Sequence, residues 1–389
     1  MLTLLRKRFI RDYEKVDNEE VRVGHGILAA VLGLIINTLL VLLKVGCAVF
    51  LASQNAWLFS MALLADAIDS IGDLGTTIVT LVGFQQAKKP ADKEHPFGHE
   101  RVEFVAGVIV GTVIVISGAE IIFNSIQSLI NGAETPSHWI VLIILGVCIL
   151  LKLLQGFLNL SIAKIIHSPT LKATAIDSFT DTIATTAVLV SGALSVFGQI
   201  HNLDGYFGIA VSCFVIYSGI LAIKESSNPL IGQPVSKEEI QEIERIALRH
   251  GFILGVHDIR IHSYGPTKRF ISLHAEIDGG TSLEEAHHQI DELEHEISAI
   301  SHAEVTIHAD PVSPLSNKEE MARQRLDACL ASIDPRLTVH DLRFENDQAE
   351  CEIVLPFEMV GKEDEIRFAC EKAMVPFTLT IAFEEPLND

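Results

Sequence analysis

The chain has 389 residues, of which 49% are hydrophobic, and yet it carries a formal net charge of −21. An apolar membrane portion joined to an acidic soluble portion accounts for both numbers, whereas a soluble globule does not. The acidic balance argues against a nucleic-acid-binding protein, which needs a basic face. The six cysteines show no C-x-x-C spacing, so we expect reduced, packed thiols rather than disulfides or a zinc knuckle.

The first 23 residues are too polar to form the apolar core of a signal peptide. Arg6, Lys7, Arg8 and Arg11 give this stretch a basic character, which favours a helix lying along the cytoplasmic surface of a membrane. Residues 1–23 are therefore predicted to form a cytoplasmic N-terminal segment.

Six long apolar segments follow, and each reaches or exceeds the roughly 20 residues that cross the hydrocarbon core of a bilayer. Their approximate limits are 24–52, 57–86, 103–131, 138–165, 171–198 and 204–223. Lysine and arginine occur in alternate connectors and are missing from "SQNA", "NGAETPSH" and "GQIHNL". By the positive-inside rule both termini are predicted to be cytoplasmic. Residues 24–226 are thus predicted to be a domain of six transmembrane helices.

Acidic residues interrupt two of these segments. Asp66, Asp69 and Asp73 lie in the second, and Asp177 and Asp181 lie in the fifth. Residues four apart share a helix face, so each segment presents a pair of carboxylates to one side. A carboxylate at membrane depth costs at least about 2.5 kcal/mol on insertion scales. A shared divalent cation explains these residues better than the alternative, in which the acids only satisfy one another within the bundle.

Further polar residues inside the apolar segments include Lys44, Glu120, Lys152 and Gln155. Snorkelling to the interface, or pairing within the bundle, accounts for each of them. No ligand role is assigned to them.

The composition becomes soluble from about residue 229. Helix, strand, strand, helix and strand patterns follow one another up to residue 312, ending in the strand-like run "AEVTIHADP". This order predicts a small α+β, ferredoxin-like cytoplasmic domain over 229–312, with its helices on one face of the sheet.

The same unit then repeats over residues 316–389. The run "VHDIR" at 256–260 returns as "VHDLR" at 339–343, and "VTIHADP" returns as "LTIAFEEP". A second, degenerate α+β domain is therefore predicted. His340 matches His257, but Ala382 stands where His308 does, so the second copy is expected to be structural or regulatory.

The chain resembles the cation diffusion facilitators in a combination of four features. These are six membrane segments, aspartates in the second and fifth of them, the run "HPFGHE" after the second, and a strand that ends in H-x-D-P. The resemblance covers about residues 10–312. It implies a homodimeric secondary transporter, not an enzyme, in a bacterial-type inner membrane and in contact with its lipid. Such a transporter exports divalent metals from the cytoplasm in exchange for protons. It binds no nucleic acid and needs no organic cofactor.

The resemblance implies three metal sites. The transport site would comprise Asp69, Asp73, Asp177 and Asp181. A cytoplasmic loop site would comprise Asp92, His95 and His99, although the two histidines could instead only cap the turn around Pro96. A two-metal cluster at a dimer interface would comprise His257, His274, His287, His308 and Asp310. Zinc exporters of the family join the helix bundle to the soluble domain through an ion pair. Arg101 matches its basic partner, but the region expected to supply the acid reads "NPLIGQPV", and the nearest upstream acid is Glu225, so this ion pair is doubtful here.

Zinc exporters of this family commonly have histidine at the first position of the span-five motif, and often in span two. This chain has Asp69 and Asp177 there, and carboxylates suit harder ions such as Mn²⁺ better than Zn²⁺. Manganese is the favoured substrate, with an exporter of Zn²⁺, Fe²⁺ or Cd²⁺ as the alternative. Clustered carboxylates cannot all ionise without metal, so the empty site is expected to hold protons.

Two other classes of protein fit the sequence less well. A membrane metal hydrolase would need a nucleophile elbow, a phosphate loop or an H-E-x-x-H motif, and the sequence has none of these. A non-transporting metal sensor would have no use for two D-x-x-x-D pairs inside the membrane.

Overall fold

The computed structural model describes residues 2–54, 57–131, 139–198 and 203–384. The chain divides into two compact units. The first is Met1–Gly232 together with Tyr264–Thr267, and the second is Gln233–Ser263 together with Lys268–Asp389. All six cysteines are free.

The first unit is helical. Its helices are α1 (Leu2–Phe9), α2 (Glu19–Ser53), α3 (Trp57–Ala87), α4 (Val102–Asn131), α5 (Trp139–Ile166), α6 (Pro169–Gly198) and α7 (Leu203–Ile231). Among the described residues, five helices, α2, α3, α4, α5 and α7, are long and apolar enough to cross a membrane. Helix α6 is equally long, with 30 residues, but two aspartates and several hydroxyl residues make it less apolar. The predicted helical membrane region is therefore confirmed.

Helix α7 continues to Ile231, eight residues past the end expected from hydropathy. Its last turns are polar, but they are held by neighbouring helices. Ser226 is buried, and a Cβ added to Gly107 of α4 would lie 2.5 Å from its Oγ. Glu225 accepts a 2.6 Å hydrogen bond from Lys172 of α6. Packing therefore extends a helix whose own residues would have ended it.

Helices α4 and α7 approach closely because glycines face each other. A Cβ added to Gly219 would lie 3.1 Å from the carbonyl oxygen of Gly111, and one added to Gly111 would lie 3.2 Å from that of Gly219. Small residues at such positions allow backbones of membrane helices to pack closely together.

A buried ion pair joins α2 to α4. Arg22 Nη1 lies 2.6 Å from Glu103 Oε2, Nη2 lies 3.1 Å from Oε1, and both side chains are buried. Ser168, between α5 and α6, donates a 2.5 Å hydrogen bond to the same carboxylate. This network ties together four helices near one end of the bundle.

In the described part of the second unit there are two small three-stranded sheets. The first copy consists of α8 (Lys237–Ala247), β1 (Ile253–Ser263), β2 (Arg269–Asp278), α9 (Leu283–Ser301) and β3 (Glu304–Val312). Strand β2 pairs antiparallel with β1 and parallel with β3. Alternate residues of β2, such as Leu273 and Ala275, are buried against α8 and α9. His274 and Glu276 therefore lie on the opposite, helix-free face of the sheet.

The second copy repeats this plan. It consists of α10 (Asn317–Ile333), β4 (Thr338–Glu345), β5 (Gln348–Val354), α11 (Glu363–Met374) and β6 (Thr378–Glu384). The strand pairing is the same, antiparallel then parallel. The first strand of each copy also has an irregularity at the same place, with Asp258 at φ 51° and Asp341 at φ 48°. This shared detail supports the proposed duplication.

Candidate metal centres

The first candidate centre lies between α3 and α6. Asp73 of α3 and Asp177 and Asp181 of α6 each offer one carboxylate oxygen, and the three oxygens all lie within 4.8 Å of one another. All three residues are partly buried. The arrangement is a set of oxygen ligands contributed by two helices, which suits a divalent cation.

Asp69, the fourth predicted member, lies outside this group. It is on α3 one turn before Asp73 and is exposed. Four residues of helix advance a side chain by about 6 Å along the axis and turn it by about 40°, which separates its carboxylate from the other three. Asp66, another turn away, pairs with Lys44 at 2.8 Å.

Lys152 of α5 lies at this centre. Its Nζ is 2.7 Å from Asp73 Oδ2 and 2.6 Å from Asp181 Oδ2, and its side chain is only 7% exposed. Pairing within the bundle was one of the two accounts expected for this lysine, but its contact with two of the candidate ligand aspartates was not expected. Hydropathy shows that Lys152 lies in a helix, but it does not show which helix it faces. The ammonium group neutralises part of the acidic charge and occupies the space between two of the three ligands.

The second candidate centre is the loop between α3 and α4. Single ligand atoms of Asp92, His95 and His99 lie within 4.8 Å of one another. Asp92 Oδ1 accepts hydrogen bonds from the backbone N–H groups of His95, at 2.7 Å, and Glu94, at 2.9 Å. These bonds, chiefly the one from His95, hold the pKa of Asp92 below its usual value. The carboxylate therefore stays charged and in place for a cation.

The orientation of His99 also suits a ligand. Its Nδ1 lies 3.2 Å from the carbonyl oxygen of Pro90, which can only accept, so Nδ1 donates there. Nε2 lies 3.5 Å from Asp92 Oδ2. Metal-binding histidines are commonly oriented by such a hydrogen bond from the other ring nitrogen. Asp92 thus caps the turn, and His95 and His99 also converge on it. The capping role and a metal-binding role therefore do not exclude each other.

The third candidate centre lies on the helix-free face of the first sheet. His257, His274 and Asp310 offer ligand atoms within 4.8 Å of one another. His274 Nδ1 lies 2.9 Å from Asp310 Oδ2, and His257 Nε2 lies 3.3 Å from the same oxygen. His308 is at the rim, because its Nε2 approaches Asp310 Oδ1 at 3.3 Å while its side chain remains 66% exposed.

His287, which was expected in this cluster, is not part of it within the chain. It is exposed on α9, beside Ala286, which is buried against the sheet. Helix α9 covers one face of the sheet, and His274 lies on the other face. The sheet itself therefore separates the two histidines.

Sequence reasoning missed a fourth group, which includes a residue from the second copy. His257, Glu276 and His340 offer ligand atoms within 4.8 Å of one another. The rings of His257 and His340 are stacked, with centroids 4.6 Å apart and planes 22° from parallel. Burial, followed by the nearby His257, lowers the pKa of His340 to about 4, so this imidazole is neutral. The match between "VHDIR" and "VHDLR" was the available signal, because it relates His257 to His340.

Glu225, the acid nearest to the position expected for the family's ion pair, pairs with Lys172 of α6. Arg101 lies over the ring of Tyr264, with its Cζ 4.6 Å from the centroid. Tyr264 belongs to the short segment that is part of the first unit.

Comparison with known proteins identifies the family. Residues 30–231 match the cation efflux transmembrane domain, and residues 235–312 match the cytoplasmic domain of cation efflux proteins. The cation-efflux pump FieF of Pectobacterium atrosepticum is 30% identical over 73% of this chain and 94% of its own length. FieF of Escherichia coli (strain K12 / DH10B) is 28% identical over 68% of this chain and 90% of its own length. The chain is therefore a member of the cation efflux family of divalent metal transporters, the cation diffusion facilitators.

Proposed function

We propose that this protein exports a divalent cation, preferentially Mn²⁺, from the cytoplasm in exchange for protons. The observation that carries this proposal is the convergence of Asp73, Asp177 and Asp181 from two helices of the membrane region. Three carboxylates at that depth are costly unless their charge is neutralised. A divalent ion can neutralise them when it is bound, and protons can do so when it is absent.

The chemistry of the ligands supports manganese. The group between α3 and α6 contains only oxygen donors, whereas Zn²⁺ is better served by imidazole nitrogen or thiolate sulfur. Family membership alone does not choose between metals, and export of Zn²⁺, Fe²⁺ or Cd²⁺ is the competing proposal.

Lys152 gives this site an internal cation. Three ionised carboxylates and one ammonium leave a net charge of −2, which one divalent ion matches. We propose that an arriving metal displaces Nζ from Asp73 and Asp181, and that the ammonium returns when the metal leaves. In the metal-bound form, Asp69 would rotate towards Asp73 and complete the set of four carboxylates. Lys152 and protons would then share the task of neutralising the empty site.

The proposed orientation follows from the charge of the connectors. Both termini would lie in the cytoplasm of a bacterial cell, with the protein in the inner membrane. The loop with Asp92, His95 and His99 would then be on the cytoplasmic side, where it could bind metal near the entrance. Homodimerisation remains part of the proposal, supported by the match to the family's cytoplasmic domain.

Inside-out membrane vesicles test the proposal, because their exposed face is the cytoplasmic one. Uptake of Mn²⁺, Zn²⁺, Fe²⁺ and Cd²⁺ would be compared with and without an imposed proton gradient. We expect the largest flux for Mn²⁺ and a clear dependence on the gradient. Metal binding without flux would favour the sensor, and flux that ignores the gradient would contradict antiport.

A further inference from the structure

His257 is a buried histidine whose polar atoms lack adequate partners. Its side chain is 4% exposed, and neither ring nitrogen makes a hydrogen bond of good geometry with any described residue. Nε2 lies 3.3 Å from Asp310 Oδ2, but the angle between the two groups does not suit a hydrogen bond. Because buried polar atoms are normally satisfied, this imidazole points to a missing ligand.

Two further donors point to the nature of that ligand. Glu276 on β2 and His340 on β4 each place one atom within 4.8 Å of His257 and of each other. Two imidazoles and one carboxylate form a ligand set typical of Zn²⁺ and similar ions. Donors around a tetrahedral zinc ion are about 3.3 Å apart, given bonds of about 2.0–2.1 Å. The three atoms therefore need to move together by roughly 1 Å or a little more.

The position of His340 reflects the duplication. His257 and His340 are equivalent residues of the two copies, and their rings stack on each other. Contact between equivalent residues is what a two-fold axis produces at an interface between identical surfaces. A second contact across the copies brings Arg343 Nη2 to 4.0 Å from Asp310 Oδ1. These two contacts show that the two copies meet next to the two histidines.

We propose that His257, Glu276 and His340 bind a divalent ion of the zinc type, which joins the first small domain to its degenerate copy. The site is separate from the proposed transport site and draws on a residue beyond the part of the chain that matches the family. His257 also belongs to the group with His274 and Asp310. Those two residues contact each other at 2.9 Å, so they have a partner without His257. The second copy therefore supplies a metal ligand, although its own counterpart of His308 is Ala382.

The experiment uses the full-length protein in detergent, stripped of metal and then titrated with zinc. Bound zinc is counted by elemental analysis, and hydrogen exchange is followed in β1 and β4. At free zinc tenfold above Kd, a bound ion that links the strands should slow exchange by opening about tenfold. The variants are His340→Gln and Glu276→Gln. The matched control is His295→Gln, a histidine that is 82% exposed on α9.

We expect wild type and the control to show slower exchange of β4 on adding zinc. Both ligand variants should lose this effect together with one bound zinc per chain. Unchanged zinc binding and equal protection of β4 in the variants would overturn the proposal. His340→Gln could also speed hydrogen exchange in the second copy when no zinc is present. In that case Glu276→Gln tests the site, because Glu276 belongs to the first copy.

Discussion

Lys152 Nζ lies 2.6 Å from Asp181 Oδ2, inside a helical bundle where each of these charges would be costly alone. The same ammonium lies 2.7 Å from Asp73 Oδ2. The lysine therefore lies between two of the three carboxylates proposed to bind the transported ion, and its ammonium group neutralises part of their charge.

Replacing Lys152 by methionine should strengthen metal binding, because the metal no longer has to displace the ammonium. We expect Kd for Mn²⁺ to fall at least about tenfold, which corresponds to about 1.4 kcal/mol. Flux should become slower, since nothing inside the site helps to release the ion. Binding to the purified protein and uptake into vesicles measure the two effects. Lys164→Met, an exposed lysine of the same helix, is the control, and weaker binding in Lys152→Met would refute the displacement model.

Removing any one carboxylate of the proposed transport site should abolish flux without unfolding the bundle. Asp73→Ala and Asp181→Ala test the group that the structure brings together, and Asp69→Ala tests whether the more distant aspartate joins it when metal binds. Transport by each variant would be measured in vesicles, with thermal unfolding as a check of folding. Asp17→Ala, at an exposed aspartate before α2, should transport normally. Full activity of Asp69→Ala would restrict the site to three carboxylates.

Asp177→His should move the preference from manganese towards zinc. The substitution replaces one oxygen donor by an imidazole nitrogen, which zinc favours more than manganese does. The ratio of Mn²⁺ to Zn²⁺ flux, measured in the same vesicles, should fall. An unchanged ratio would show that the preference is set outside these ligands.

Glu103→Gln should destabilise the helical unit strongly. The change leaves the guanidinium of Arg22 buried without its charged partner, which typically costs about 3–5 kcal/mol. A lower Tm in detergent is the expected result. Glu20→Gln is the control. Glu20 is 79% exposed and pairs with Lys88 at 3.7 Å, and exposed pairs contribute about 1 kcal/mol or less to stability. Equal Tm values for the two variants would contradict the importance of the buried pair.

Hydropathy predicted the membrane helices well, because a bilayer imposes both length and composition on whatever crosses it. The family resemblance was confirmed by the comparisons. The end of α7 was harder to predict, since the burial of Ser226 against α4 depends on packing and not on local sequence. Helix α10 does carry a local signal, because Ser316 and Glu319 form a capping box at its start.

The candidate sites show a similar division. Spacing places Asp177 and Asp181 on one face of a helix, and the structure brings their carboxylates together with that of Asp73. Spacing says nothing about which neighbouring helix faces them, so the contact with Lys152 could not be predicted. His340 was not predicted as a ligand, because its own copy has alanine in place of His308. The ligand atoms close to it belong to His257 and Glu276 of the other copy.

The stacked pair of His257 and His340 has a consequence for assembly. Strand β3 ends at Val312 and α10 begins at Asn317, so a tether of only a few residues joins the two copies. A short tether corresponds to an effective local concentration in the millimolar range. Another polypeptide that binds the surface around His257, a second subunit included, must therefore compete with this tethered neighbour.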